Sequence, residues 1–350
     1  MKKIFSNVLK FLVPVIIGVG LFWFLYTNVD VEEMKGVIAS DVNYWWFLPV
    51  IVVSVFSHIF RAMRWRLQLR AIGVDAPLSA LVNSIFGTYA VNLLFPRLGE
   101  VWRTGYIAQR QRASFTTVLG SMVADRLSDT VTVLALTVFT FFIAQDAFMQ
   151  FLATYPQIKD GLWRMATSPW LWTAAVAGIL VLVRLFTMKT ENAVILKVKT
   201  MVLNLWNGFS SITKMEGKWW FLLYTLLVWG CYYLQLYSAT FAFSFTAPLG
   251  VVPVLVLFVL SSIGMGVPTN GGLGSWHIAI IFGLSLYGVG VFDTQSFDSN
   301  ASAFAMLVWG VQTLLLIVLG LYAYVSMTID RSRIRSGKTV VRASGDGMQL

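Results

Sequence analysis

An all-α, polytopic integral membrane protein is the fold class this sequence predicts, and three observations carry it. Of the 350 residues, 57% are hydrophobic and only 12% charged, and the mean hydropathy of +0.74 lies far above that of water-soluble domains. Several apolar runs approach the roughly 20 residues a helix needs to cross a bilayer, whereas the ten-residue alternation of a membrane β-barrel strand is absent. The 26 Lys and Arg residues fall between the apolar runs, so the net charge of +10 reads as topogenic loop charge, and no nucleic-acid partner is expected.

The first helix is expected near 9–27. Lys2, Lys3 and Lys10 precede an apolar stretch as in a signal peptide, but no small-x-small cleavage site follows, so the segment is read as retained. A second helix is expected near 44–60. Asp30, Glu32, Glu33 and Asp41 lie between the two with a single Lys35, while Arg61, Arg64, Arg66 and Arg70 follow the second. This asymmetry places the N-terminus in the cytoplasm. Arg61, Arg64 and Trp65 then read as a basic-aromatic anchor in contact with anionic headgroups.

Residues 79–110 are apolar but broken in the middle. A full crossing by 79–95 would put Arg97, Arg103, Arg110 and Arg112 outside, against the positive-inside preference. A hairpin that enters from the cytoplasm, breaks at Pro96 to Gly99 and returns avoids this. Helices near 115–144 and 170–187 lead outward and back to a basic loop, where Val194, Ile195, Val198, Val202, Leu205 and Trp206 share one face of an amphipathic surface helix. Helices near 219–243 and 302–327 lead out and back again, and Arg331, Arg333, Arg335 and Lys338 place the C-terminus in the cytoplasm. Residues 250–292 therefore start and finish outside, as a second hairpin broken between Gly264 and Ser275. The architecture is about six full crossings plus two broken or re-entrant hairpins, or eight crossings if the second hairpin spans. Residues 1–330 form one transmembrane domain, and 331–350 a basic, disordered tail.

A charge at the bilayer centre costs roughly 2.5–3.5 kcal/mol on insertion scales, so charges within apolar runs mark a cavity or a partner. The elbow Phe95-Pro96-Arg97-Leu98-Gly99-Glu100-Val101-Trp102-Arg103 brings both signs to a helix break. Pro96 lacks a backbone donor and Gly99 tolerates unusual dihedrals, so polar backbone groups are freed where Arg97, Glu100 and Arg103 gather. Arg97 and Arg103 suit a bidentate grip on a phosphate, and Glu100 could orient one of them or carry a proton. The competing interpretation is an internal salt bridge that pins the hairpin. Asp125 and Asp129 share a helical face four residues apart, with Arg126 three before Asp129, which suits either a self-neutralising packing pair or the far wall of the elbow's cavity. In the second break, Asn270, Gly271, Gly272, Gly274, Ser275 and His277 offer backbone amides and polar side chains to a headgroup, or else make a tight turn. No Lys follows the glycines, so this is not a Walker A loop. Cys231 is alone, and His58 and His277 lie far apart, so neither a metal nor another cofactor is expected.

The order Arg61-x-x-Arg64-Trp65, Gly73, Asn92-x-x-x-Pro96-x-x-Gly99-Glu100-x-x-Arg103, Asp125-Arg126-x-x-Asp129 and Pro268-x-x-Gly271-Gly272-Leu273-Gly274 resembles the lysylphosphatidylglycerol synthase transmembrane region family, or flippase-like domain family. The resemblance spans about residues 8–328. Asp125 stands where many relatives have a glutamate before the arginine, and His277 where the family often has an acid close after its glycines. The resemblance implies an inner-membrane protein that handles polar lipids. It also implies no lipid aminoacylation by this chain alone, since the transferase domain of the full-length aminoacyl-phosphatidylglycerol proteins is not in it. The leading expectation is binding and translocation of an anionic phospholipid or lipid-linked glycan. Alternatives are a membrane glycosyltransferase using a polyprenyl-phosphate sugar, with Glu100 or Asp129 as base, and a non-catalytic partner of a lipid-modifying enzyme.

Overall fold

The computed structural model describes residues 2–95, 97–154, 156–187, 196, 215–267, 269–293 and 295–336. The chain is all-α. In order, the helices are α1 (Lys2–Thr27), α2 (Val31–Ser40), α3 (Phe47–Ala71), α4 (Leu78–Leu94), α5 (Leu98–Arg110), α6 (Phe115–Ile143) and α7 (Gln145–Thr154). There follow α8 (Pro156–Ala166), α9 (Pro169–Thr187), α10 (Lys218–Thr240), α11 (Val251–Gly264), α12 (Ser275–Ser285) and α13 (Ser299–Arg335). Single 3-10 turns at Tyr44–Trp46 and Asn270–Gly272 precede α3 and α12. Among the described residues the only β-type contacts are two isolated bridges, Val29 with Phe297 and Val42 with Phe243.

Three segments, Tyr44–Ala71, Phe115–Ile143 and Ser299–Ile334, are long and apolar enough to cross a bilayer by length and composition alone. At 23 residues α10 is long enough too, but its Trp and Tyr residues lower its hydropathy. Large apolar side chains stand on the outward faces of the long helices, with Trp23, Leu134, Phe142, Trp170 and Leu321 all exposed. Helix α2 was not expected from hydropathy and is set by local chemistry: Asp30 Oδ1 accepts from the amides of Glu32 and Glu33 at 3.0 Å, and both glutamates favour the helix N-terminus. Helices α7 and α8 were likewise not anticipated. The basic surface helix expected after residue 188 falls outside the described residues, Leu196 apart.

Helix α3 corrects the expected boundary at residue 60. It runs on to Ala71 because Arg61, Arg64 and Gln68 fall on a buried face where the two arginines meet carboxylates, so no surface loop begins there. Helix α13 likewise continues to Arg335, past the expected domain edge at 330.

At 37 residues, α13 serves as a ruler for both hairpins. Near its basic end, Asp330 accepts from Arg110 Nε at 2.7 Å and Nη2 at 3.1 Å, and Ser326 Oγ accepts from Asn83 at 2.7 Å. Farther up, Gly320 leaves the room that Ala90 occupies, since a Cβ at 320 would collide with the Ala90 methyl. The Gln111 amide donates to the Asp75 carbonyl, so α4 starts and α5 ends at the same level. The first hairpin therefore enters and leaves on one side. At about 1.5 Å per residue its 17- and 13-residue arms reach roughly 25 and 20 Å.

The second hairpin enters from the opposite end. The turn before α11 is fixed by Ser244 N donating to Asp41 Oδ2 at 3.0 Å and Asn43 N to the Ala242 carbonyl at 2.8 Å. The return from α12 is fixed by Phe297 N on the Asn28 carbonyl at 2.7 Å and Ser299 Oγ on Glu33 at 2.8 Å. Arms of 14 and 11 residues reach only about 21 and 16 Å, short of a hydrocarbon core of roughly 30 Å. The alternative of two further crossings is thereby removed. Asp30, Glu32, Glu33, Asp41 and Asp298 thus gather at one end of the bundle, and Arg66, Arg70, Arg110 and Arg331 at the other.

Candidate functional site

The hairpin tips meet. The side-chain amide of Asn270 donates to the carbonyls of Leu93 and Leu94 at 3.2 and 3.1 Å, the last turn of α4. Arg97 Nη2 donates to the Gly266 carbonyl at 3.2 Å, and Trp309 Nε1 of α13 holds the Gly271 carbonyl at 2.8 Å. Arg97 is the residue before α5 and sits in the left-handed region, φ +62°, which costs a non-glycine residue roughly 1–2 kcal/mol. Helix α5 starts at Leu98. The Gly99 amide is taken by Asn92 Oδ1 at 2.8 Å, so one of the backbone groups freed at the break is satisfied by α4. Gly99 is obligatory for this contact, because a Cβ there would meet the Thr88 carbonyl oxygen.

Below the elbow lies a buried ion network joining α3, α5 and α6. Asp125 accepts from Arg64 Nε at 3.0 Å and Nη2 at 2.6 Å and from Arg103 Nη2 at 3.3 Å, with Arg61 Nη1 at 3.7 Å. Asp129 takes Arg61 at 2.9 Å and Arg64 at 2.7 Å, with Arg126 at 3.7 Å. Arg126 reaches Glu100 at 2.7 Å, and Asn92 steadies that carboxylate at 3.2 and 3.3 Å. Arg61 Nε donates to the Tyr232 hydroxyl at 3.2 Å. The Arg103 guanidinium lies 4.5 Å over the Trp65 ring, whose indole nitrogen donates to Ser121 at 3.1 Å. Asp125 and Asp129 stand ten and fourteen residues into α6, about 15 and 21 Å from its start, deep within the span.

Four guanidiniums thus face three carboxylates, and guanidinium is always charged, so the ionised network carries one surplus positive charge. Its donors are not exhausted. Arg64 Nη1, Arg103 Nε and Nη1 and Arg126 Nε are buried without a hydrogen-bond partner. Arg64, Arg103 and Asp125 are sealed from solvent at 0% exposure, whereas Arg126 is partly open and Arg97 exposed. The arrangement is a buried, donor-rich charge cluster whose more accessible members, Arg126 and Arg97, lie toward the elbow.

The model of the lysylphosphatidylglycerol synthase TM region matches residues 11–320. The chain belongs to that family. No curated protein and no solved structure matches it.

Within this lysylphosphatidylglycerol synthase TM-region protein, the residues singled out in sequence separate into three placements. Glu100, Arg103, Asp125, Arg126 and Asp129 come together, with Arg97 at the tip above them. Arg61, Arg64 and Trp65 depart from expectation: they are buried at 3%, 0% and 0% exposure, as partners of Asp125, Asp129 and Arg103 and not as surface headgroup anchors. The reason is that, of the two aspartates, Arg126 meets only Asp129, at 3.7 Å, and Arg103 only Asp125, at 3.3 Å, so both draw their closest counter-ions, at 2.6–2.9 Å, from α3. The glycines of the second hairpin serve close packing. Gly274, at φ +77°, lies against Leu21 of α1, and Gly272 against Met265. Ser275 pairs with Thr269 at 3.1 Å, and His277 is boxed by Phe22, Trp276 and Trp309. Tyr89 and Tyr232 were missed, and Asn92, quoted in the family motif, was given no role. Asn92 had a signal, standing two helical turns before Gly99 and Glu100 across the break.

Proposed function

We propose that this protein binds an anionic lipid headgroup, of a phospholipid or a lipid-linked glycan, and carries it across the membrane while the acyl chains stay in the hydrocarbon. The observation that carries this reading is Arg103: wholly buried, with two nitrogens lacking partners, in a network whose surplus charge is positive. Buried donors are normally satisfied, and charge-assisted bonds to phosphate oxygens would satisfy these. Arg97 and Arg126 at the mouth would meet the phosphate first, and Arg103 would receive it deeper in. The inward hairpins from opposite sides are the arrangement transporters use to build a midplane site. The positive-inside preference supports a cytoplasmic basic end with both termini there, and the family supports an inner membrane.

The glycosyltransferase alternative finds no support, because each of Glu100, Asp125 and Asp129 is engaged by arginine and none stands free as a base. The test is transbilayer movement of fluorescent phosphatidylglycerol in proteoliposomes, read by a membrane-impermeant quencher. Wild type should raise the rate over empty vesicles and Arg97→Gln should not. Equal rates with and without protein across anionic lipid classes would sink the reading.

A further inference from the structure

The buried face of α3 carries more than arginines. Ser54, Ser57, His58, Arg61, Arg64 and Gln68 are all buried and recur at three- and four-residue spacing. Ser54 Oγ bonds Gln312 of α13 at 3.3 Å, and Gln312 donates to Gln235 of α10 at 2.9 Å. One turn from Ser54 is His58, and one turn beyond it Arg61. The imidazole therefore stands between a file of neutral polar groups and the ion network, in the middle of a membrane-spanning helix.

His58 is 4% exposed, and neither ring nitrogen has a hydrogen-bond partner. Its neighbours are the edge of Phe86, ring centroids 5.8 Å apart, and the ring of Tyr89 at 4.7 Å. The Tyr89 hydroxyl meets that of Tyr232 at 3.2 Å, and Tyr232 receives Arg61. The charged or titratable groups that face the ring are Arg61, one turn on along its own helix, and Tyr89 on α4, with Tyr232 of α10 behind Tyr89; on α13, Tyr322 stands against Phe86, and Arg64, Asp125, Asp129 and Arg126 lie beyond Arg61 in the ion network. A ring needed for packing alone would be better served by phenylalanine, which leaves no buried polar atom unpaired. His277 has equally bare nitrogens, but its aromatic box holds no charge.

An anion that enters the network adds negative charge beside this ring. We propose that His58 takes up one proton when an anionic headgroup binds the arginines, so that headgroup and proton cross together with no net charge. The proton comes from water at the entry face, occupies a ring nitrogen lone pair, and leaves at the exit face with the headgroup. This rests on the headgroup-binding reading and adds to it the co-substrate. It also removes the need for another energy source to move the charge, because a neutral pair crosses without work against the membrane potential.

The experiment uses the full chain in an uncharged detergent with ¹⁵N-labelled histidine. The sequence has two histidines, so His277 is an internal control. Dihexanoyl phosphatidylglycerol is titrated in weakly buffered solution near pH 7, with binding followed calorimetrically and proton uptake by an indicator dye. Dihexanoylglycerol, which lacks the phosphate, is the comparison. The expected result is about one proton taken up per phosphatidylglycerol bound, with the His58 nitrogens moving to imidazolium shifts, those of His277 unmoved, and no uptake with dihexanoylglycerol. A folded His58→Phe variant, which keeps the ring packing, should show no uptake. Phosphatidylglycerol binding without uptake, or the same uptake in His58→Phe, overturns the role of His58 and leaves headgroup binding standing. No binding by wild type overturns both.

Discussion

Replacing Asp125 by asparagine removes one negative charge from the ion network at nearly constant volume. Asp125 is fully buried and engages Arg64, Arg103 and, more distantly, Arg61. Without its charge, four guanidiniums would face two carboxylates. Removing one member of a buried ion pair costs about 3–5 kcal/mol, because the partner stays buried and uncompensated. At roughly 2–4 °C per kcal/mol for a domain of 150–250 residues, that corresponds to a melting point lower by at least about 6 °C. The chain supplies its own reporter. Cys231 is its sole cysteine and is buried at 9% exposure, so a thiol-reactive fluorophore added during heating reports unfolding without any introduced label. The double variant Arg64→Met with Asp125→Leu removes one charge of each sign and should recover most of the loss, since apolar replacement of a buried pair is often neutral. An Asp125→Asn melting point within about 1 °C of wild type, or strictly additive single effects, would refute the account of Asp125 as the network's keystone.

Arg97→Gln should leave the melting point nearly unchanged, since it removes one contact from an exposed side chain, yet abolish anionic-lipid translocation; loss of the protein from the membrane would instead assign Arg97 to folding. Gly99→Ala should fail to give folded protein or lose stability by about 1–3 kcal/mol or more, because its methyl group meets the Thr88 carbonyl, and an unchanged melting curve would contradict the hairpin packing. Cysteines at Leu94→Cys and Asn270→Cys in a Cys231→Ala background should cross-link with a short bifunctional reagent, and failure in every condition would separate the tips. In the same background, cysteines at Asp30 and Asp298 should react with an impermeant thiol reagent from outside, while those at Gln109 and Ser336 should not. The reverse pattern would invert the topology.

The sequence announced the helical class, the two broken segments and their entry from opposite sides, because hydropathy and charge asymmetry are read locally. It also pointed to Arg103, Asp125 and Asp129, because a charge inside an apolar run has to be answered somewhere. What answered it was not legible. Arg61 and Arg64 look the same in sequence whether they end a helix at the membrane surface or continue it into a buried face. Only the packing of α3 against α6 decides, by bringing two carboxylates to them across more than sixty residues of chain. The same limit hid Tyr232, whose hydroxyl matters only through its Arg61 and Tyr89 contacts, and His58, which sequence alone could only count.

The pairing of Asn270 with the carbonyls of Leu93 and Leu94 bears on leakage. Those carbonyls end α4 and have no donor from their own helix, so the opposing hairpin stoppers them. Pulling the tips apart in dry hydrocarbon would strand three polar groups at once, each at a cost of several kcal/mol. The barrier falls only when something arrives that can take over those bonds, water or a headgroup hydroxyl among them. On the proposed translocation reading, the group that is carried would also be the one that unlocks the tips.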